Sequence, residues 1–153
     1  MTETIANLAE HRDAFGKRFK VAADDIDGFG HVNNAVYLRW IDEVVWAHTR
    51  HVGLGEDVCL ALNRGMATVR HEIDYVAAAY LDDEVAVFNW VVLNDGRLRA
   101  GRLFQIVRIG DGKTLLRAKS DYVCTNLKTG RPARMPEAFV AGYAVTRSPP
   151  SEG

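Results

Sequence analysis

No stretch of this sequence stays apolar for long enough to cross a membrane. The segment Met1 to Arg12 holds Glu3, Asn7, Glu10 and His11 and has no apolar core of the kind an export signal needs, so none is expected. Cysteine is scarce. Cys59 and Cys124 lie far apart, and no group of His, Cys and acidic residues has the spacing of metal ligands. The expectation is two reduced thiols in a cytoplasmic protein that carries no metal. Charge of one sign is not in excess either. Nineteen Lys and Arg face 20 Asp and Glu, a net charge of −1, which removes nucleic acid from the expected partners. Glycine-rich phosphate loops and internal repeats are also missing.

What remains is an ordinary globular balance. The chain has 153 residues, 48% hydrophobic and 25% charged, enough for one domain around one core. Residues 1–13 are polar without periodicity and read as a flexible N-terminus. Residues 14–142 read as the domain. Residues 143–153, with Ser148-Pro149-Pro150-Ser151-Glu152-Gly153, read as a disordered tail.

Inside the domain one helix stands out. Tyr37, Trp40, Ile41, Val44 and His48 recur at helical spacing, widened by Leu38 and Val45. Asn33 or Asn34 can cap its start, and Gly53 and Gly55 end it. His48, Arg50 and His51 near its C-terminus suit the helix dipole. A strand over 15–22 precedes it, and everything after it reads as strand: 67–75 alternating, then 84–93, 98–109 and 114–127. Tight turns at Asn94-Asp95-Gly96 and Gly110-Asp111-Gly112-Lys113 make antiparallel neighbours. The expected fold class is α+β, an antiparallel sheet of about five strands wrapped around one long central helix. The strand over 84–93 is apolar on both faces. One helix covers one face, so a second subunit is expected to cover the other face, or an edge.

Charge is distributed unevenly along the chain. Residues 1–96 carry 8 Lys and Arg against 16 Asp and Glu; residues 97–134 carry 10 against 2. Arg97, Arg99 and Arg131 belong to this basic half, which favours an anionic ligand or an acidic partner. The plainer reading is a set of exposed strand positions that blunt sheet edges.

The densest chemical signal is Asp25-Ile26-Asp27-Gly28-Phe29-Gly30-His31-Val32-Asn33-Asn34-Ala35-Val36-Tyr37. Here carboxylates, glycines and a histidine run straight into a helix start. Helix-start N–H groups can polarise a carbonyl oxygen that becomes negative in acyl transfer. A carboxylate beside them can attack that carbonyl or activate a water that does.

This segment resembles the signature of the hotdog-fold acyl-CoA thioesterases, the 4-hydroxybenzoyl-CoA thioesterase-like family. It is also similar to the Asp-x-Asp-x-x-x-His-Val-Asn-Asn stretch of acyl-carrier-protein thioesterases, with Phe29 where that branch usually has Asn. The resemblance implies a hotdog fold, a homodimer with sites at the subunit interface and pairing into homotetramers. It implies a hydrolase that releases a carboxylic acid and free coenzyme A and needs no cofactor, coenzyme A being part of the substrate. Carried over by position, Asp27 is the catalytic carboxylate, as general base or nucleophile, and the N–H near Asn34 is the oxyanion site. His31 joins the catalytic set. Gly30, Asn33 and Tyr37 become substrate-binding candidates, and Arg97, Arg99 and Arg131 candidates for the coenzyme A phosphates. For Asp27 a turn-capping role competes, and for Asn33 and Asn34 helix capping does. A non-catalytic acyl-thioester binding module and an acyl-carrier-protein thioesterase are the alternative functions; a dehydratase on the same fold lacks its own motif here.

Overall fold

The structure is a computed structural model that describes residues 5–146. The chain runs β1 (Phe15–Lys20), a short 3-10 turn (Ala23–Asp25), α1 (Asn34–His51), α2 (Glu56–Leu62), β2 (Arg64–Tyr75), β3 (Glu84–Asn94), β4 (Arg99–Arg108), β5 (Thr114–Asn126) and α3 (Glu137–Gly142). The five strands form one sheet in the order β1-β3-β4-β5-β2, antiparallel throughout. The expected α+β arrangement of a sheet around one long helix is therefore present. No helix of the described residues is long and apolar enough to cross a membrane.

The sheet wraps α1 because the helix is apolar where it meets the strands. Tyr37, Trp40, Ile41 and Val44 are buried against Val85, Val87, Phe104 and Ile106 of β3 and β4. Burying a side chain of this size stabilises by about 1.5–3 kcal/mol. The helix starts where Asn33 Oδ1 accepts from the Ala35 N–H at 3.0 Å. It ends before Gly53, whose φ of +83° turns the chain away.

Two short helices stand where strand or loop was expected. α2 follows Gly55, carries Glu56 and Asp57 in its first turn, and stops at Asn63 in the left-handed region. Its seven residues are too few to show a helical period. α3 buries Phe139 in a satellite core with Leu54, Cys59, Cys124 and Tyr143. Both cysteines are free and buried.

The outer face of β3 and β4 corrects two expectations. Phe88, Trp90 and Val107 are buried there, but the cover comes from the same chain. Ile5, Leu8, Ala9 and Ala14 pack on them. Residues 5–14 thus form a strap rather than a loose terminus. His11 stacks on Trp90 with ring centroids 5.0 Å apart. Ile5, Leu8 and Ala9 stand at i, i+3 and i+4, but a single turn among polar residues is too short to show as a period, which hid their role. The strap passes close to β1 at Gly16. A Cβ there would lie 2.6 Å from two ring carbons of Phe88 and 3.4 Å from Ile5 Cδ1. At the other end, Tyr143 is buried and the Thr146 N–H donates to Val91 O, so these two residues are also tied to the domain. The expected tail beyond them, and residues 1–4, lie outside the described residues.

The strand β2 alternates as expected yet stays largely exposed, because it is an edge of the sheet. Val69 sits at a register shift in its pairing with β5 and is 57% exposed.

Candidate active site

The loop from Asp25 to Asn33 is closed by its own backbone. The Asn33 N–H donates to Asp25 O and the Asp27 N–H to His31 O, both at 2.8 Å. The Gly30 N–H donates back to Asp27 O, at a φ of +82° that favours glycine. Asp25 is the buried anchor. Its Oδ2 accepts from the Ala22 N–H at 2.9 Å and its Oδ1 from the Arg39 guanidinium at 3.1 Å. Asp27 is only half-buried. Its Oδ1 accepts from the Phe29 N–H at 2.8 Å and, at 3.4 Å, from the His31 N–H. These bonds fix the carboxylate without removing it from solvent.

A cavity of about 370 Å³ opens beside that carboxylate. Asp27, His31, Asn34 and Tyr37 line it together with residues 75–78, at the end of β2 and just beyond it. The fold thus gathers Asp27, His31, Asn34 and Tyr37 at one place. Asn34 is the first residue of α1, whose leading N–H groups face no preceding turn. Asn33 spends its side-chain oxygen on the cap. The Tyr37 hydroxyl accepts from the Ala79 N–H at 2.9 Å, and burial raises its pKa. Phe29 points outward, 87% exposed. His31 lies edge-on to Tyr80, centroids 5.5 Å apart.

Arg97, Arg99 and Arg131 are not part of this assembly. Arg99 pairs with Val123 on β5, and Arg131 O accepts from the Asn126 N–H. The cavity residue Ala77 instead hydrogen-bonds Leu115, at the opposite end of β5. Eight residues of strand, roughly 26 Å, separate the two ends within one chain.

A second cavity, of about 770 Å³, runs along another face of α1 between the helix and strands β2 and β5. It extends from Ala35 to Thr49 on the helix and reaches Arg102 on β4. Arg102 is 4% exposed. Its Nη1 donates to Asn89 Oδ1 and, at 2.9 Å, to His48 Nδ1. An imidazole that accepts at Nδ1 is neutral. Burial first, and then the Arg102 charge, lower the His48 pKa to about 4. His48 is therefore not the charged helix-end residue the sequence suggested. The Arg102 guanidinium also lies over the rings of Tyr122 and Tyr143, 5.9 and 5.6 Å from their centroids. Burial pushes the Tyr143 pKa up to about 12. Asn89 Nδ2 is buried with no acceptor among the described residues. His71 is exposed, lines this cavity and meets Ser120 Oγ at 2.6 Å.

This polar cluster was missed in sequence. One signal was available. Arg102 interrupts the inward-facing row Ala100, Phe104 and Ile106, so period two alone places its side chain inside.

The molecule is similar to several solved structures. A 1,4-dihydroxy-2-naphthoyl-CoA thioesterase from Synechocystis superposes with a TM-score of 0.76 at 21% identity, covering 85% of this chain and 95% of that one. A Staphylococcus aureus protein in complex with CoA gives 0.79 at 21%, covering 85% and 81%. An acyl-ACP thioesterase from Bacteroides thetaiotaomicron gives 0.78 at 23%, covering 95% of this chain and 58% of that one. No curated protein matches the chain in sequence. Residues 21–142, which hold the loop, α1 and the whole sheet except β1, match the sequence pattern of one family, and the chain belongs to that family, the thioesterase-like superfamily.

Proposed function

We propose that the protein hydrolyses acyl thioesters of coenzyme A at the Asp27 cavity. The observation that carries this reading is a half-buried carboxylate, fixed by two backbone N–H groups, sharing one cavity with the start of a long helix. The thioester carbonyl would take its place at Asn34, whose N–H at the positive end of α1 stabilises the oxyanion, since Asn33 already takes the Ala35 and Val36 N–H groups. Asp27 then acts in one of two ways. As general base it takes a proton from water, and the hydroxide adds to the carbonyl. As nucleophile its own oxygen adds, and water later cleaves the mixed anhydride. Either way the C–S bond breaks, the thiolate leaves and takes a proton, and one carboxylic acid and one thiol are released for each water consumed. His31 lines the cavity and orients water or substrate. No metal or cofactor enters these steps.

The subunit arrangement belongs to the same reading. β2 presents an open edge, with Val69 and Tyr75 exposed along it. Pairing at that edge supports a homodimer, and further association a homotetramer. A second copy is also what could carry Arg97, Arg99 and Arg131 toward the phosphates of coenzyme A bound at a neighbouring Asp27. The similarity to a CoA-complexed protein supports the carrier assignment. The test is thiol release from short, long and aromatic acyl-CoAs by the wild type and by Asp27→Ala, with light scattering for the oligomer. Turnover by folded Asp27→Ala at the wild-type rate would exclude the mechanism.

A further inference from the structure

The larger cavity holds a group that the hydrolysis of a thioester does not need. Arg102 is a cation buried to 4% exposure, at the wall of a cavity of about 770 Å³. Buried charges in proteins are normally met by an opposite charge, because desolvation is costly. Arg102 has none. No carboxylate reaches it to ion-pair distance among the described residues. Its partners are the neutral Asn89 and His48 and the faces of two tyrosine rings. Two acidic residues also line the cavity. Glu56 is bound to Arg50, and Asp42 is exposed to solvent. Asn89 Nδ2 next to the guanidinium lacks an acceptor as well. The cluster is thus rich in donors and short of acceptors, which is the condition that an anionic oxygen acid relieves.

We propose that Arg102 binds the carboxylate of an amphiphilic ligand whose apolar body lies along α1 in this cavity. The inference rests on the thioesterase reading for its choice of ligand. Two sources share the chemistry: the far carboxylate of a diacid thioester, and the free carboxylic acid that hydrolysis releases. Geometry separates them. His48, at Arg102, lies fourteen residues along α1 from Asn34, about 21 Å of helix. A thioester held at Asn34 reaches Arg102 only with a long diacid chain, whereas a free acid can bind whatever its length. The walls suit such a body: Ile41, Val45 and Trp46 of α1 and Met66 and Ala67 of β2 line the cavity.

Two experiments test this. The first compares hydrolysis of CoA thioesters of diacids with those of the matching monomethyl esters, over short to long chains. The second is calorimetric titration with the free monocarboxylic acids, diacids and their neutral esters. A charge-assisted hydrogen bond predicts a preference of about ten- to a hundred-fold for the carboxylate form. Preference in KM for long diacid thioesters assigns the substrate; tight binding of free acids at all lengths assigns the product. In both cases Arg102→Met should erase the preference. Absence of any carboxylate preference in the wild type, or its persistence in Arg102→Met, overturns the proposal. If Arg102→Met does not fold, the wild-type comparison of acid with ester decides alone. The two readings fail separately. Hydrolysis of neutral thioesters without a carboxylate preference removes Arg102 and leaves the hydrolase. Arg102-dependent binding of acids by a protein that hydrolyses nothing does the reverse.

Discussion

At the N-terminal end of α1 the polar groups belong to one stretch of chain; at its C-terminal end they are gathered from four elements. Asp25, Asp27, His31, Asn33 and Asn34 lie within ten residues and are held mostly by bonds inside that stretch or a few residues from it, with Arg39 and Ala79 the more distant partners. His48, Asn89, Arg102 and Tyr143 come from α1, β3, β4 and the chain after α3, and meet only because the sheet closes around the helix. The first group is partly open to water, and the second is largely sealed from it. A local site can be assembled before the domain is complete and stays adaptable. A site made by long-range register carries charge burial as a permanent cost, so its polar groups are set by tertiary structure.

The largest effect should separate the ends by function. Asp27→Ala is expected to lower turnover by about 10²- to 10⁴-fold, the usual worth of a general base, with the urea midpoint unchanged. Loss of folding in that variant would instead make Asp27 structural.

The second contrast is with pH. The folded pKa of His48, about 4, lies below the ordinary histidine value of 6.5. Between the two values the unfolded chain binds the proton that the folded one refuses. The stabilisation is complete above pH 6.5 and is lost as pH falls toward 4. Thermal midpoints of the wild type should therefore fall more steeply across this window than those of His48→Gln. Parallel curves would refute the neutral imidazole.

Tyr37→Phe bridges the regions. It strips the buried Ala79 N–H of its acceptor and should cost about 1–3 kcal/mol in urea unfolding. The smallest effect belongs to the cap. Asn33→Ala should cost about 1 kcal/mol and shift the thermal midpoint by a few degrees. A larger loss of activity than of stability would give Asn33 a substrate contact beyond the cap.

The same contrast explains what the sequence made legible. The stretch from Asp25 to Tyr37 reads in order, because its function and its hydrogen bonds are both local. The long helix shows its period, and the strands show as an alternating or apolar run between turn residues, so the fold followed. Arg102 looked like one more basic strand residue. Its parity on β4 turns it inward, and the pairing of β4 with β3, which sets Arg102 opposite Val91, determines which groups it meets there. The strap was missed for a similar reason. Its apolar residues Ile5, Leu8 and Ala9 gain meaning from Phe88 and Trp90, some eighty positions away. For α2 and α3, six or seven residues give too little pattern to distinguish a helix from a turn.

The close approach at Gly16 sets a limit on how this chain can vary. Every other residue brings a Cβ, and Phe88 already occupies that space, with Ile5 lying over it. In a saturation library selected for folded protein, position 16 should keep glycine alone. Gly28 has nothing within 4 Å of its would-be Cβ and should accept a wide set. A glycine that no motif singles out would then be less replaceable than one inside the motif itself.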